Sequence, residues 1–219
     1  MIWADNWYMR GDRIKATPKA KAICPICEGE VIAKCGSIKV WHWSHKSNKD
    51  CDDWYEPESE WHKKWKDEFP KECQEVVIGN HRADIRTKSR WIIELQNSSI
   101  SPEEIQEREE YYKRMIWLLN GENLCRGLEL RNKKGVLTFR WKHPPKSFWF
   151  ANKEIYIDLN IIPISGVLKK NVELFSEEQR EFWKDLIGKV FHIKKIYNNI
   201  PCGGWGELIS KKEFLRRFK

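Results

Sequence analysis

An α/β (α+β) fold is predicted for this chain of 219 residues, a mixed sheet flanked by helices with a small metal knuckle in front. Three stretches carry that prediction. His81–Arg86 and Trp91–Gln96 read as short strands, the second apolar and β-branched, joined by a tight turn at Thr87-Lys88-Ser89. Helix signals and the apolar run Met115–Leu119 follow, and strand, helix, buried strand is a βαβ crossover. Near the front, Cys24-Pro25-Ile26-Cys27 precedes His42-Trp43-Ser44-His45 by fourteen residues. The division expected is a knuckle region over 1–55 and a core with a basic extension over 56–219.

The knuckle comes first. Cys24, Cys27, His42 and His45 offer two thiolates and two imidazoles, the tetrahedral set that Zn²⁺ prefers. Their spacing is not that of a DNA-reading zinc finger, so no recognition helix is expected between the pairs. Val31–Ala33 and Ile38–Trp41 instead read as a two-stranded ribbon turning at Cys35-Gly36-Ser37, a closed structural site. Cys35 and Cys51 are further thiols nearby and compete for the ligand positions. Pro57–Lys66 reads as a helix begun by Pro57. Glu58, His62 and Lys66 recur every four residues and so share a face, while Trp61 and Trp65 share another, turned to the core.

Asp84 and Glu94 then fall on neighbouring strands. A carboxylate inside Trp-Ile-Ile-Glu-Leu is costly unless something compensates it, and a divalent cation held against a phosphodiester needs such hard oxygens. Ser101 is a good N-cap, Pro102 suits the first helical position and Glu104 completes a capping box, so a helix runs from there through Arg108 to about Lys113. Asn120-Gly121 ends the buried strand. Further on, Gly127–Arg131, Val136–Trp141 and Glu154–Leu159 read as antiparallel strands extending the sheet. A helix is expected over Glu177–Ile187 with Ser176 as its N-cap. Cys202–Gly206 reads as a glycine-rich turn before a short basic helix, on which Lys211, Lys212, Arg216 and Arg217 form a backbone-phosphate contact.

The charge is divided unevenly. Residues 1–121 hold 20 Lys/Arg and 21 Asp/Glu, and residues 122–219 hold 20 and 11, so the net +8 comes from the rear (−1 and +9). Acidic metal ligands in front and a basic surface behind suit an enzyme of nucleic acid. Seven cysteines, an odd number, point to a reducing compartment, and no apolar stretch approaches the length of a membrane span, so a cytoplasmic location is expected. Of thirteen tryptophans, most belong to the core and some are available to stack on bases.

Asp, about ten residues, then Glu-x-polar resembles the site of PD-(D/E)xK nucleases, with Gln96 where that pattern has Lys. The ordered set of motifs over about residues 20–120 resembles the CoiA-like competence proteins: Cys-x2-Cys with His-Trp-Ser-His, Glu-Ser-x2-His, Arg-x-Asp, Ile-Glu-x-Gln-x-Ser-x-Ile-Ser. The resemblance implies a restriction-endonuclease-like sheet, a catalytic site of Glu58, His62, Asp84, Glu94 and Gln96, and Mg²⁺ (or Mn²⁺) held by Asp84 and Glu94. Gln96 brings no charge, so Lys66 or Arg108 is expected to supply it and to contact nucleic acid. The function expected is metal-dependent DNA endonuclease or nickase. The alternative is a non-catalytic DNA-binding factor in recombination, competence or phage–host interaction.

Overall fold

The structure, a computed structural model, describes residues 1–47, 51–54, 56–125, 127–159, 186, 188–197 and 202–219. The chain divides into two compact units, Met1–Lys88 and Ser89–Lys219.

The first unit opens with β1 (Trp3–Asn6), β2 (Arg13–Lys15), β3 (Lys21–Ile23), β4 (Glu30–Lys34) and β5 (His42–His45). They form an antiparallel sheet in the order β2-β1-β3-β4-β5. The expected ribbon is therefore part of a larger sheet, and its second strand is His42–His45, paired Val31 to His45 and Lys34 to His42, rather than Ile38–Trp41. Burial explains the shift. Trp43 pairs with Ala33 and joins Met1, Ala4, Ala22 and Val31 in the core, its indole donating to the Ile14 carbonyl at 3.0 Å, whereas Ile38 and Trp41 are exposed.

Helix α1 (Glu60–Lys66) begins later than Pro57. Ser59 is its N-cap: its hydroxyl accepts the His62 N–H, and the His62 ring accepts the Ser59 N–H. Glu58 thus precedes the helix and does not ride the face of His62 and Lys66. Trp61 and Trp65 are buried as expected. Next, β6 (Gln74–Ile78) and β7 (His81–Arg86) form a hairpin, Ile78 opposite His81.

In the second unit, β8 (Ile92–Gln96) and β9 (Met115–Asn120) are parallel, Ile92 beside Met115 and Gln96 beside Leu119, and every residue of both is buried. That is the signature of strands covered on both faces. Helix α2 (Pro102–Tyr112) makes the crossover. Ser101 caps it by accepting the Glu104 N–H at 3.1 Å, while the Glu104 carboxylate pairs with Arg108. The short α3 (Gly121–Leu124) leads to β10 (Leu128–Lys133), β11 (Val136–Trp141), β12 (Glu154–Asp158), β13 (Lys189–Tyr197), β14 (Cys202–Ser210) and helix α4 (Lys211–Phe218). Within this unit the strand order is β10-β11-β14-β13-β12-β9-β8.

Two expectations change here. β10 and β11 are antiparallel, but β12 runs parallel to β9, Glu154 beside Ile116, and only its other neighbour β13 is antiparallel. Its run Ile155–Asp158 is buried throughout, as suits a central strand. The glycine-rich segment is strand, not turn. A Cβ on Gly204 would stand 1.9 Å from the Lys195 carbonyl oxygen, and one on Gly206 would stand 2.2 Å from that of His192. Phe139 and Phe191 also press their rings on these two glycines, so the residues are small because a neighbouring strand and the core come too close. The helix expected over Glu177–Ile187, with its cap Ser176, lies outside the described residues apart from Leu186.

Candidate functional site

The first unit holds two clusters. One joins Cys24, Cys27, His45 and Cys51, whose ligand atoms all lie within 4.8 Å of one another. Cys24 Sγ is 3.5 Å from Cys51 Sγ, and Cys27 Sγ is 3.3 Å from His45 Nε2. A tetrahedral Zn²⁺ with ordinary bond lengths separates two sulfurs by about 3.8 Å and sulfur from nitrogen by about 3.5 Å, so these two pairs are consistent with that ion. The Cys24–Gly29 turn is built for it: the Cys24 N–H donates to the Gly29 carbonyl at 2.8 Å, and the Ile26 N–H points at the Cys24 sulfur.

Three of the four expected ligands are thus brought together, and Cys51 stands where His42 was expected. The reason is strand geometry. Residues three apart in a strand face opposite sides of the sheet, so β5 cannot aim His42 and His45 at one point. His42 instead donates from Nδ1 to the Val40 carbonyl at 2.7 Å. Burial pushes the Cys51 thiol up, with Cys24 adding to it. Burial opposes the Cys27 thiolate too, but hydrogen bonds from the Gly29 backbone and the neighbouring thiols outweigh it and hold Cys27 below its ordinary value. Burial also lowers His45, which keeps its imidazole neutral as a ligand must be.

The second cluster surrounds Lys66, only 1% exposed at the end of α1. Its ammonium pairs with Glu58, with Glu75 Oε1 at 3.0 Å and with Asp84 Oδ1 at 3.0 Å. Burial alone would strip its proton, but the three carboxylates outweigh that and hold the ammonium well above the ordinary lysine value. Glu75 had no place among the expected residues. It sits on β6 at φ +47, in the left-handed region a glutamate rarely adopts. Its carboxylate accepts the Ile2 and Trp3 backbone N–H groups at 2.8 and 2.9 Å, tying β6 to β1. Burial works against its charge, yet Lys66, the amino terminus and Arg82 hold it well below the usual carboxylate range. Glu58 goes the other way: burial dominates and raises it, and its Oε2 is buried without a hydrogen-bond partner.

His62 is buried beside this cluster, its Nε2 3.2 Å from Glu56. Burial lowers its basicity, but Glu56, Asp84 and Glu58 outweigh it and raise the imidazole. Asp84, with 23% of its side chain exposed, is the carboxylate of the four that solvent reaches most readily. The strand that carries it is also anchored next to the zinc-type cluster. Asp52, adjacent to Cys51, accepts from His81 Nδ1 at 3.0 Å and from the Arg82 N–H at 3.1 Å, and Trp54 stacks on His81.

In the second unit Glu94 is buried and pairs with Arg108 at 2.6 Å, and Arg108 also reaches Glu104. Gln96 is buried and donates its amide to the Ser98 carbonyl at 3.0 Å. Lys66 and Arg108 are each buried and held by carboxylates, so neither stands at the surface as a phosphate contact. On α4, Arg216 and Arg217 pair with Glu213, and Arg217 reaches Glu207 as well, while Phe214 and Phe218 turn into the core. No helix among the described residues is long and apolar enough to cross a membrane.

Two family models match the chain: the N-terminal domain of competence protein CoiA over residues 9–53, and its nuclease-like domain over residues 59–165. The competence protein CoiA of Bacillus subtilis (strain 168) is 32% identical over 108 residues, covering 43% of this chain and 29% of that protein. The chain thus spans less than a third of the curated relative it matches. No solved structure matches it.

Proposed function

The chain belongs to the competence protein CoiA family, and from that premise we propose that it is a metal-dependent deoxyribonuclease, an endonuclease or nickase hydrolysing phosphodiester bonds. The observation that carries the reading is the Glu58–Lys66–Glu75–Asp84 cluster at the start of the nuclease-like domain. Three carboxylates gather around the Lys66 ammonium, and Oε2 of Glu58 is buried with no hydrogen-bond partner. That is a fit for a hard divalent cation, Mg²⁺ or Mn²⁺. When bound, such an ion polarises a phosphoryl oxygen and sharpens the attacking water. Asp84 and Glu58 are the residues of this unit that would hold it. Glu94 joins them on the strength of the motif, with Gln96 in the lysine position.

The remaining roles follow from charge and exposure. Lys66 stays protonated and offsets the carboxylates, so it acts as a fixed charge and not as a base. Asp84, the solvent-reached member, meets the substrate side. His62 accepts the Ser59 N–H at Nδ1, which leaves Nε2 to carry a proton toward Glu56. DNA is the partner, and the family connects the reaction to competence. The second reading, a DNA-binding factor without catalysis, draws support from Arg108, which already compensates Glu94 with a second cation. Supercoiled plasmid, linear duplex and single strands, incubated with Mg²⁺, Mn²⁺ or EDTA, decide between them. Asp84→Asn and Glu94→Gln are expected to abolish metal-dependent cutting with the fold retained. Cutting by both variants at the wild-type rate would overturn the assignment.

A further inference from the structure

One face of the sheet of the second unit carries exposed aromatic and basic side chains. Strand register lines Arg131, Thr138, Trp205 and Lys195 up across β10, β11, β14 and β13. The next row on the same side is Glu129, Arg140, Gly203 and Tyr197. The alternation is regular: Leu130, Phe139, Gly204 and Ile193 go to the core, whereas Trp205 is 41% and Tyr197 49% exposed. Elsewhere on this side the sheet is covered. The row Tyr156–His192–Glu207 has the parity of Trp205, and there α4 lays Phe214 and Phe218 against Tyr156. Beyond the helix, two large aromatics among the described residues, Trp205 and Tyr197, remain exposed.

We propose that this face binds single-stranded DNA, with bases stacking on Trp205 and Tyr197 and phosphates meeting Arg131, Arg140 and Lys195; this rests on the nucleic-acid reading of the proposed function. Tyr197 lies diagonally across from Trp205, and such neighbours on adjacent strands stand about 7–8 Å apart, roughly twice the 3.4 Å rise of stacked bases. Gly203, opposite Tyr197 and two residues before Trp205, puts no side chain into the gap. Flat rings set in a basic sheet face suit single strands, whose bases are free to stack, better than a duplex, whose bases are not. Of the charges on these two rows, Glu129 is the one acid, and it is spent on Arg131 at 2.7 Å. A second copy of the chain would bring these cations against their like, which disfavours self-association through the same face. Of the residues named, Lys195, Tyr197 and Trp205 lie past residue 165, beyond the nuclease-like match, while Arg131 and Arg140 lie within it.

Fluorescence anisotropy of a labelled oligothymidylate, and of a matching duplex, titrated with the full chain in EDTA tests the proposal. Trp205→Ala and Tyr197→Ala should each weaken single-strand binding by about tenfold, with Trp205→Phe near wild type and duplex binding changed far less. Changing Arg131, Arg140 and Lys195 together to Gln should lower the slope of log affinity against log salt by about two, since fewer counterions are released. Near-UV circular dichroism checks that each variant is folded, and the charge variant stands in for Trp205→Ala should that one unfold. Wild-type single-strand affinity in both alanine variants overturns the proposal, as does a dimer that Trp205→Ala dissolves. Because nothing is cut in EDTA, the two readings fail separately. A chain that never cleaves but loses single strands with Trp205→Ala overturns only the nuclease assignment, and one that cleaves but binds unchanged overturns only this face.

Discussion

Lys66→Met leaves the apolar stem of the side chain and removes its charge, and the arithmetic of the first unit then becomes unfavourable. Glu58, Glu75 and Asp84 lose their shared ammonium in a place where Lys66 and Glu75 are each 1% exposed. Breaking one buried ion pair from one side costs about 3–5 kcal/mol, because a charge is left without compensation. Three carboxylates lose their partner together, so the upper part of that range applies; Asp84, partly in water, contributes least. For a chain of this size about 4–5 kcal/mol is a fall in Tm of about 8–20 °C. Urea unfolding followed by tryptophan fluorescence reads it as a lower midpoint with an unchanged slope. Glu58→Gln should then return part of the loss in the double variant, about 1–3 kcal/mol, because Glu58 is the carboxylate whose charge burial already disfavours. The reasoning fails if Lys66→Met unfolds within about 1 kcal/mol of wild type, or if Glu58→Gln adds its own cost to Lys66→Met with no coupling.

Cys51→Ser should strip zinc from the purified protein and lower its stability, while His42→Ala keeps about one equivalent; metal analysis of both variants checks this, and the reverse pattern would restore His42 as a ligand. Glu75 is held below its unfolded value, so its stabilisation is complete above about pH 4.5 and is lost as pH falls through the folded value. Glu75→Gln should therefore be much less stable than wild type at pH 7, and the two unfolding midpoints should converge on acidification toward pH 3. On α4, changing Lys211, Lys212, Arg216 and Arg217 together to Gln should weaken duplex binding and lower its salt slope, since fewer counterions are released. An unchanged slope would mean that this helix does not touch the phosphates.

What the sequence made legible depended on whether the signal was local. Ser101-Pro102 announced α2, and the apolar runs at Ile92–Leu95 and Met115–Leu119 announced the buried parallel pair, because capping and burial on both faces are written into consecutive residues. β1 to β3 escaped, since strands of three or four residues show too little alternation to read. β6 carries a readable run, Val76-Val77-Ile78, but Glu75 gives no sign that its left-handed backbone will aim a carboxylate at Lys66 and the amino-terminal strand. The same limit applied to the knuckle. Cys-x2-Cys was visible, but choosing between His42 and Cys51 needed the parity of a strand whose bounds were read four residues early. Gly203–Gly206 misled for a related reason: glycine marks a turn locally, and only the approach of the adjacent carbonyls shows that it marks a crowded strand.

These same non-local contacts tie the Cys24–Cys27–His45–Cys51 cluster to the strand that carries Asp84. Cys51 ends one cluster, and the next residue, Asp52, holds His81 and the Arg82 backbone at the start of the strand that carries Asp84. From the other side, Glu75 belongs to the Lys66 cluster and at the same time fastens the Ile2 and Trp3 N–H groups of the small sheet. Asp84 is therefore positioned by two ties that both lead back to the N-terminal strands. Removing zinc should loosen β7 before it affects the second unit. Amide exchange resolves that order: in Cys51→Ser protein the amides of β7 should lose protection while those of β8 and β9 keep theirs. Equal loss along β7 and β9 would show that the knuckle supports the whole chain and has no particular hold on the strand of Asp84.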